Sequence, residues 1–224
     1  MSFKDRSEAG RKLALALAAY KNQQPVVLAL PRGGVPVAAK VAAALNAPLD
    51  LILVRKIGVP YQPELAMGAV VDGDEPLVVR NEDIIRFAGI DASEFNAVCD
   101  SELAEIERRR QRYLGSRERV EVAGRTAIVI DDGIATGATT RAALRATSMR
   151  TPKKLILAVP VAPTDGLAAM RQEADEVVCL EAHTDLRAIG LYYSNFWPVP
   201  DEEVIELLAR FSAQKQKQPS QPAA

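Results

Sequence analysis

Residues 127–140 read Ala127-Ile128-Val129-Ile130-Asp131-Asp132-Gly133-Ile134-Ala135-Thr136-Gly137-Ala138-Thr139-Thr140. Four apolar residues predict a buried strand, two carboxylates stand at its end, and the sequence turns helical after Thr140. A strand–loop–helix of this kind aims free backbone N–H groups and the positive end of the helix at one point, which suits a phosphate. The acidic pair makes the loop more than a phosphate cradle. Carboxylates repel phosphate, so Asp131 and Asp132 call for neutral hydroxyls or a metal ion beside it. A sugar phosphate supplies both. The plainer alternative is a turn whose Asp and Thr only cap a helix, but a cap needs one such residue and this loop carries five.

Better-known phosphate loops do not fit. A P-loop requires a Lys after its second glycine, and a dinucleotide fingerprint requires Gly-x-Gly-x-x-Gly. Here no such Lys is present, and Gly133 and Gly137 are four apart. Two other loops carry candidate chemistry. Pro31-Arg32-Gly33-Gly34 follows the apolar run Val26–Leu30, and its glycines permit torsions that a side chain forbids. Arg55-Lys56-Ile57-Gly58 closes a further apolar run and precedes the polar, Pro-rich stretch Pro60-Tyr61-Gln62-Pro63-Glu64.

The 127–140 stretch closely resembles the phosphoribosyl-pyrophosphate (PRPP) signature of the type I phosphoribosyltransferases: four apolar residues, an acidic pair, then a small-residue loop ending Thr-Gly-x-Thr. Arg32, Gly33 and Gly34 match the family's pyrophosphate loop, which often holds a strained cis peptide, and one of the two glycines is expected at positive φ. The resemblance extends over about residues 7 to 210 and is similar to one uncharacterised branch of the family through Phe3–Arg11, Arg55–Gly58 and the helical insertion.

It implies a glycosyltransferase that moves phosphoribose from PRPP to a nitrogenous base and releases pyrophosphate. Asp131 and Asp132 would engage the ribose hydroxyls, while Ala135, Thr136, Gly137, Ala138 and Thr139 would hold the 5′-phosphate. Arg32, Gly33, Gly34, Arg55 and Lys56 would serve the pyrophosphate, the last two from a mobile loop. Mg²⁺ would be the cofactor, bound mainly through PRPP, with Asp131 or Asp132 as candidate protein ligands. Ala135 stands where several 6-oxopurine enzymes carry an Asp, so that proton acceptor is missing and the base stays open. A C-terminal hood over 175–200 would read it, with Tyr192, Tyr193, Phe196 and Trp197 available for stacking. His183 reads as a surface residue. Two alternatives remain open: a PRPP- or nucleotide-binding regulatory protein without turnover, and a different reaction on a ribose phosphate.

The elements that must position these residues are legible from periodicity. Apolar runs at Val26–Leu30, Asp50–Val54, Met67–Val71, Ala127–Ile130, Leu155–Val159 and Val177–Leu180 predict strands. Helices are expected over Ser7–Tyr20, Val37–Leu45, Thr139–Met149, Gly166–Glu173 and Asp201–Phe211. Strands apolar throughout are those buried on both faces, so the fold class is α/β: a doubly wound, mostly parallel central sheet flanked by helices. Residues 81–113 read as a helical insertion of two pieces broken at Gly89-Ile90-Asp91, and as a candidate contact in a homo-oligomer. Its run Arg108-Arg109-Arg110-Gln111-Arg112 follows Glu102, Glu105 and Glu107 at pairing distances, which makes a solvated ion-pair face the expected reading. Residues 1–211 are expected to form one domain and 212–224 a disordered tail.

At 224 residues a domain buries roughly 70% of its unfolded surface, enough for a core without staples. The net charge of −1 gives no footprint for nucleic acid or an anionic membrane. The opening residues show no apolar signal region, no run approaches the roughly 18 apolar residues of a membrane helix, and Cys99 and Cys179 are lone thiols. The expectation is a soluble cytoplasmic protein.

Overall fold

The structure, a computed structural model, describes residues 2–73 and 75–215. Five strands form a wholly parallel sheet: β1 (Val26–Ala29), β2 (Leu49–Leu51), β6 (Thr126–Ile130), β7 (Lys154–Pro163) and β8 (Glu176–His183). Their order is β2-β1-β6-β7-β8, with Ala29 opposite both Leu51 and Ile130. Successive side chains divide between two cores, as a pleated strand requires. Val27, Ala29, Ile128, Ile130, Ile156 and Ala158 pack under α1 (Arg6–Ala16), α2 (Gly34–Leu45) and α7 (Asp201–Lys215). Val26, Leu28, Ala127, Val129, Leu155 and Leu157 pack under α5 (Ala138–Met149) and α6 (Thr164–Met170). Burying each of these Val, Leu and Ile side chains contributes about 1.5–3 kcal/mol, so this double-faced burial is what fixes the sheet.

This arrangement sets up the site. From β1 the chain passes through α2 to β2 on one side, and from β6 through α5 to β7 on the other. The direction of winding therefore reverses between β1 and β6. Outside the carboxyl ends of two such strands a crevice opens, which is where doubly wound folds bind ligands.

Two expectations about 54–71 need correction. Met67–Val71 is the second half of β4 (Gln62–Val71), which lies in a separate antiparallel sheet with β3 (Val54–Val59) and β5 (Leu77–Arg80). Only Pro60 and Tyr61 separate β3 from β4, far short of the crossover of a dozen or more residues that parallel pairing needs. For the same reason the expected mobile loop after Lys56 is a tight hairpin, with Arg55 and Lys56 inside β3.

Residues 81–113 contain α3 (Glu82–Ala88) and α4 (Ala92–Leu114), both outside the parallel sheet. Gly89 at φ 65° ends α3, and a reciprocal Asp91–Glu94 capping box starts α4. Helix α7 continues to Lys215, so residues 212–215 of the expected tail are helical; residues 216–224 lie outside the described residues. Asp175–Leu180, assigned above to the hood, falls mostly in β8 and pairs with β7. Among the described residues no helix is long and apolar enough to cross a membrane.

Candidate active site

The acidic pair stands directly beyond β6, and the Arg32-Gly33-Gly34 loop directly beyond the neighbouring strand β1. The two loops touch. A Cβ placed on Gly33 would lie 2.0 Å from Asp132 Oδ2, and one on Gly34 would lie 2.7 Å from the Ile130 carbonyl and 3.4 Å from Asp131 Oδ1. Gly33 thus faces the Asp132 carboxylate, and Gly34 the Ile130 carbonyl, at a distance that no side chain allows. Neither has a positive φ: Gly33 sits at φ −61°, ψ −36°, and Gly34 opens α2. The expectation of left-handed torsions is therefore corrected. Space, not torsion, demands glycine here. The Pro31–Arg32 peptide is cis.

Asp132 is held on two sides. Arg6, the first residue of α1, donates Nε to Asp132 Oδ2 at 2.7 Å, and both side chains are nearly buried. Tyr193 donates its hydroxyl to the Asp132 carbonyl at 2.7 Å, and burial pushes that phenol up from its ordinary range. The Arg6 guanidinium also donates to the Trp197 carbonyl at 2.8 Å and stacks on the Phe196 ring at 3.8 Å. The N-terminal segment and the chain after β8 therefore close together over the acidic pair, joined by the Phe3–Tyr193 bridge.

Sequence reasoning missed Arg6, whose partner is 126 residues away. One signal was available. A cation in the first turn of a helix opposes the helix dipole, so an Arg directly after the N-cap Asp5 needs a compensating partner.

Asp131 titrates well above the usual carboxylate range, first because burial desolvates it and next because the Asp132 charge lies beside it. A carboxyl raised in the folded state stabilises fully below its unfolded pKa and loses that contribution as the pH rises through the folded value. Asp131→Asn removes the buried charge. The variant should melt a few degrees above wild type at pH 7–8, with the gap closing towards pH 4, in thermal scans across that range. A gap that does not change with pH would contradict the assignment.

Beyond the acidic pair, Gly137 takes φ 76° as N-cap of α5, and no side chain caps that helix. Ala135, Thr136, Ala138 and Thr139 are exposed. The first N–H groups of α5 therefore face outward with hydroxyls beside them, an arrangement competent to bind an anion. Arg32, half-exposed, points to Asp201 at 3.6 Å. Arg55 and Lys56 are not brought to these loops: Arg55 donates to Glu102 at 2.6 Å, and Lys56 pairs with Glu64 at 3.1 Å. Among the described residues no group of three or more His, Cys, Asp or Glu could hold a metal by itself. Two adjacent carboxylates beside a phosphate cradle suit Mg²⁺ that arrives on a phosphorylated substrate, because Mg²⁺ takes one or two carboxylates and completes its shell with phosphate and water.

The aromatic cluster splits. Tyr193 is core, stacked on Phe3 and Phe196; Tyr192 lies against His183 with ring centroids 4.3 Å apart; Trp197 is 78% exposed. His183 also approaches Glu181 at 3.3 Å.

A family model described as the phosphoribosyl transferase domain matches residues 5–195. The chain belongs to the phosphoribosyl transferase family. Two Mycobacterium tuberculosis proteins, from strains CDC 1551 and H37Rv, are provisionally named phosphoribosyl transferases and are 47% identical over 208 residues. That match takes in 93% of this chain and 46% of theirs, so the chain spans about half the length of these relatives. The crystal structure of a Thermus thermophilus protein matches at 40% identity with a TM-score of 0.81, over 94% of this chain and 99% of that one. The matched region takes in both glycine-containing loops, the acidic pair and Arg6.

Proposed function

We propose that this protein transfers the phosphoribosyl group of PRPP to a nitrogenous base. The bond from the anomeric carbon to the pyrophosphate oxygen breaks, a carbon–nitrogen bond forms, and the base loses its N–H proton to solvent. One observation carries the reading: the acidic pair and the double-glycine loop, 97 positions apart from Gly34 to Asp131, meet at the reversal point between β1 and β6.

Bond breaking builds positive charge on the ribose and negative charge on the leaving pyrophosphate. Asp131 and Asp132 accept from the ribose hydroxyls and favour the cationic ring, an interaction that strengthens towards the transition state. Mg²⁺, when bound with PRPP, neutralises charge on the leaving group. N–H groups of Ala135 to Thr139, with the Thr136 and Thr139 hydroxyls, hold the 5′-phosphate. Arg32 meets the pyrophosphate, and the space kept by Gly33 and Gly34 lets its oxygens approach the backbone. Arg55 and Lys56 join only by leaving Glu102 and Glu64. Trp197, exposed beside Arg6, is the aromatic group open to a base.

Thr136→Val should weaken PRPP and ribose 5-phosphate alike, by about ten- to a hundredfold, because the two share the 5′-phosphate and one charge-assisted hydrogen bond is lost. A loss confined to PRPP would remove Thr136 from that role. Turnover is tested by pyrophosphate release from PRPP and Mg²⁺ across a panel of purines and pyrimidines. Release with one base and not with the others supports the transferase reading. PRPP binding with no release for any base would replace it with the regulatory reading.

A further inference from the structure

We infer that Arg112, at the end of the helical insertion, is a second binding cation for the pyrophosphate of PRPP beside Arg32. The inference rests on the PRPP reading above and assigns the insertion a part in that site.

Of the arginine run expected to pair along its own helix, Arg108 and Arg109 do so with Glu105, at 2.7 Å each. The Arg112 side chain pairs off its own helix. Its Nη1 lies 3.0 Å from Asp201 Oδ2 and its Nη2 lies 3.2 Å from Glu202, at the start of α7. The other oxygen of Asp201 faces Arg32 at 3.6 Å and accepts from the Tyr113 hydroxyl at 2.5 Å. One carboxylate thus spans two guanidinium groups, one from the loop after β1 and one from the insertion. That separation is short enough for a single diphosphate to bridge.

Burial and contact strength favour ligand access. Arg32 and Arg112 are 47% and 42% exposed at the side chain while Asp201 is 20% exposed, so the cations face solvent and the carboxylate lies behind them. The 3.6 Å contact is too long for a hydrogen bond, which leaves the five donors of Arg32 uncommitted to Asp201. Asp201 itself stays ionised, held below the usual carboxylate range first by the Tyr113 hydroxyl and then by Arg112 and Arg32. It keeps the two cations close from behind, while Glu202, 78% exposed, holds Arg112 Nη2 from the solvent side and swings away when a diphosphate takes its place. Arg55 makes the contrast: its 2.6 Å contact with Glu102 is short and partly buried.

Titrations of wild type, Arg112→Ala and Arg112→Lys with PRPP, inorganic pyrophosphate and ribose 5-phosphate, each with Mg²⁺, decide the matter. Arg112→Ala should weaken PRPP and pyrophosphate about tenfold, leave ribose 5-phosphate unchanged and melt with wild type, since the two ion pairs it removes, to Asp201 and Glu202, are those of a half-exposed arginine. Arg112→Lys should recover part of the loss by keeping the charge. Wild-type binding of PRPP with unchanged affinities in Arg112→Ala overturns the inference and leaves the PRPP site standing. Equal weakening of ribose 5-phosphate also overturns it, because Arg112 would then be acting on the whole site. Absence of PRPP binding in wild type takes down both readings together.

Discussion

Gly33→Ala is expected to lower PRPP affinity by at least about a hundredfold while lowering the melting temperature by only a few degrees. The new Cβ would fall 2.0 Å from Asp132 Oδ2 and 2.5 Å from its Cγ, well inside van der Waals contact. Asp132 cannot retreat easily, because Arg6 holds Oδ2 and Tyr193 holds its carbonyl. Either the carboxylate rotates off Arg6 or the Arg32–Gly34 loop lifts, and both outcomes separate the proposed ribose contacts from the proposed pyrophosphate contacts. The sheet beneath, with Ala29 and Ile130 fully buried, is untouched by the change. Titration calorimetry and thermal melts measure the two effects. A variant that keeps PRPP affinity within about threefold, or that loses stability as steeply as binding, would mean that Gly33 serves the fold alone.

Asp132→Asn is expected to weaken PRPP by about ten- to a hundredfold and to reduce kcat further. The asymmetry has a cause: a carboxylate stabilises the developing ribose cation more than the neutral ground state, and an amide cannot. The substitution also leaves the nearly buried Arg6 facing a neutral partner, so the variant should melt lower than wild type. Steady-state kinetics on the base that gives turnover separates these effects. A drop in affinity with kcat unchanged would place Asp132 in ground-state binding only.

The parallel sheet was legible because its strands are apolar on both faces. Val26–Leu30 and Ala127–Ile130 need no partner information to be read as buried from two sides. The β3–β4 hairpin was not legible. Gln62–Glu64 is polar and Met67–Val71 apolar, and a strand whose character changes halfway reads as a loop followed by a short strand.

At the site, residue identity was readable and geometry was not. Gly33 and Gly34 stood out by composition, yet what requires them is the Asp132 carboxylate, 99 positions from Gly33, and the Ile130 carbonyl, 96 positions from Gly34, which no local pattern encodes. Arg6 and Arg112 escaped for the same reason, since each gains its meaning from a partner on a distant element: Asp132 for one, Asp201 for the other. Glu102 was read as a helix partner for the arginine run and instead reaches Arg55 on β3.

In the proposed site the acidic pair, the Thr136–Thr139 loop and the Arg32–Gly34 loop bind different parts of one molecule. Titration of the wild-type protein with PRPP and with ribose 5-phosphate, in the presence of Mg²⁺, tests this most directly. Both should bind at one site per chain and compete with each other, PRPP about ten- to a hundredfold tighter because it alone engages Arg32 and the double-glycine loop. No binding of either ligand at millimolar concentration would contradict the account, and equal affinities would separate the Arg32–Gly34 loop from the site.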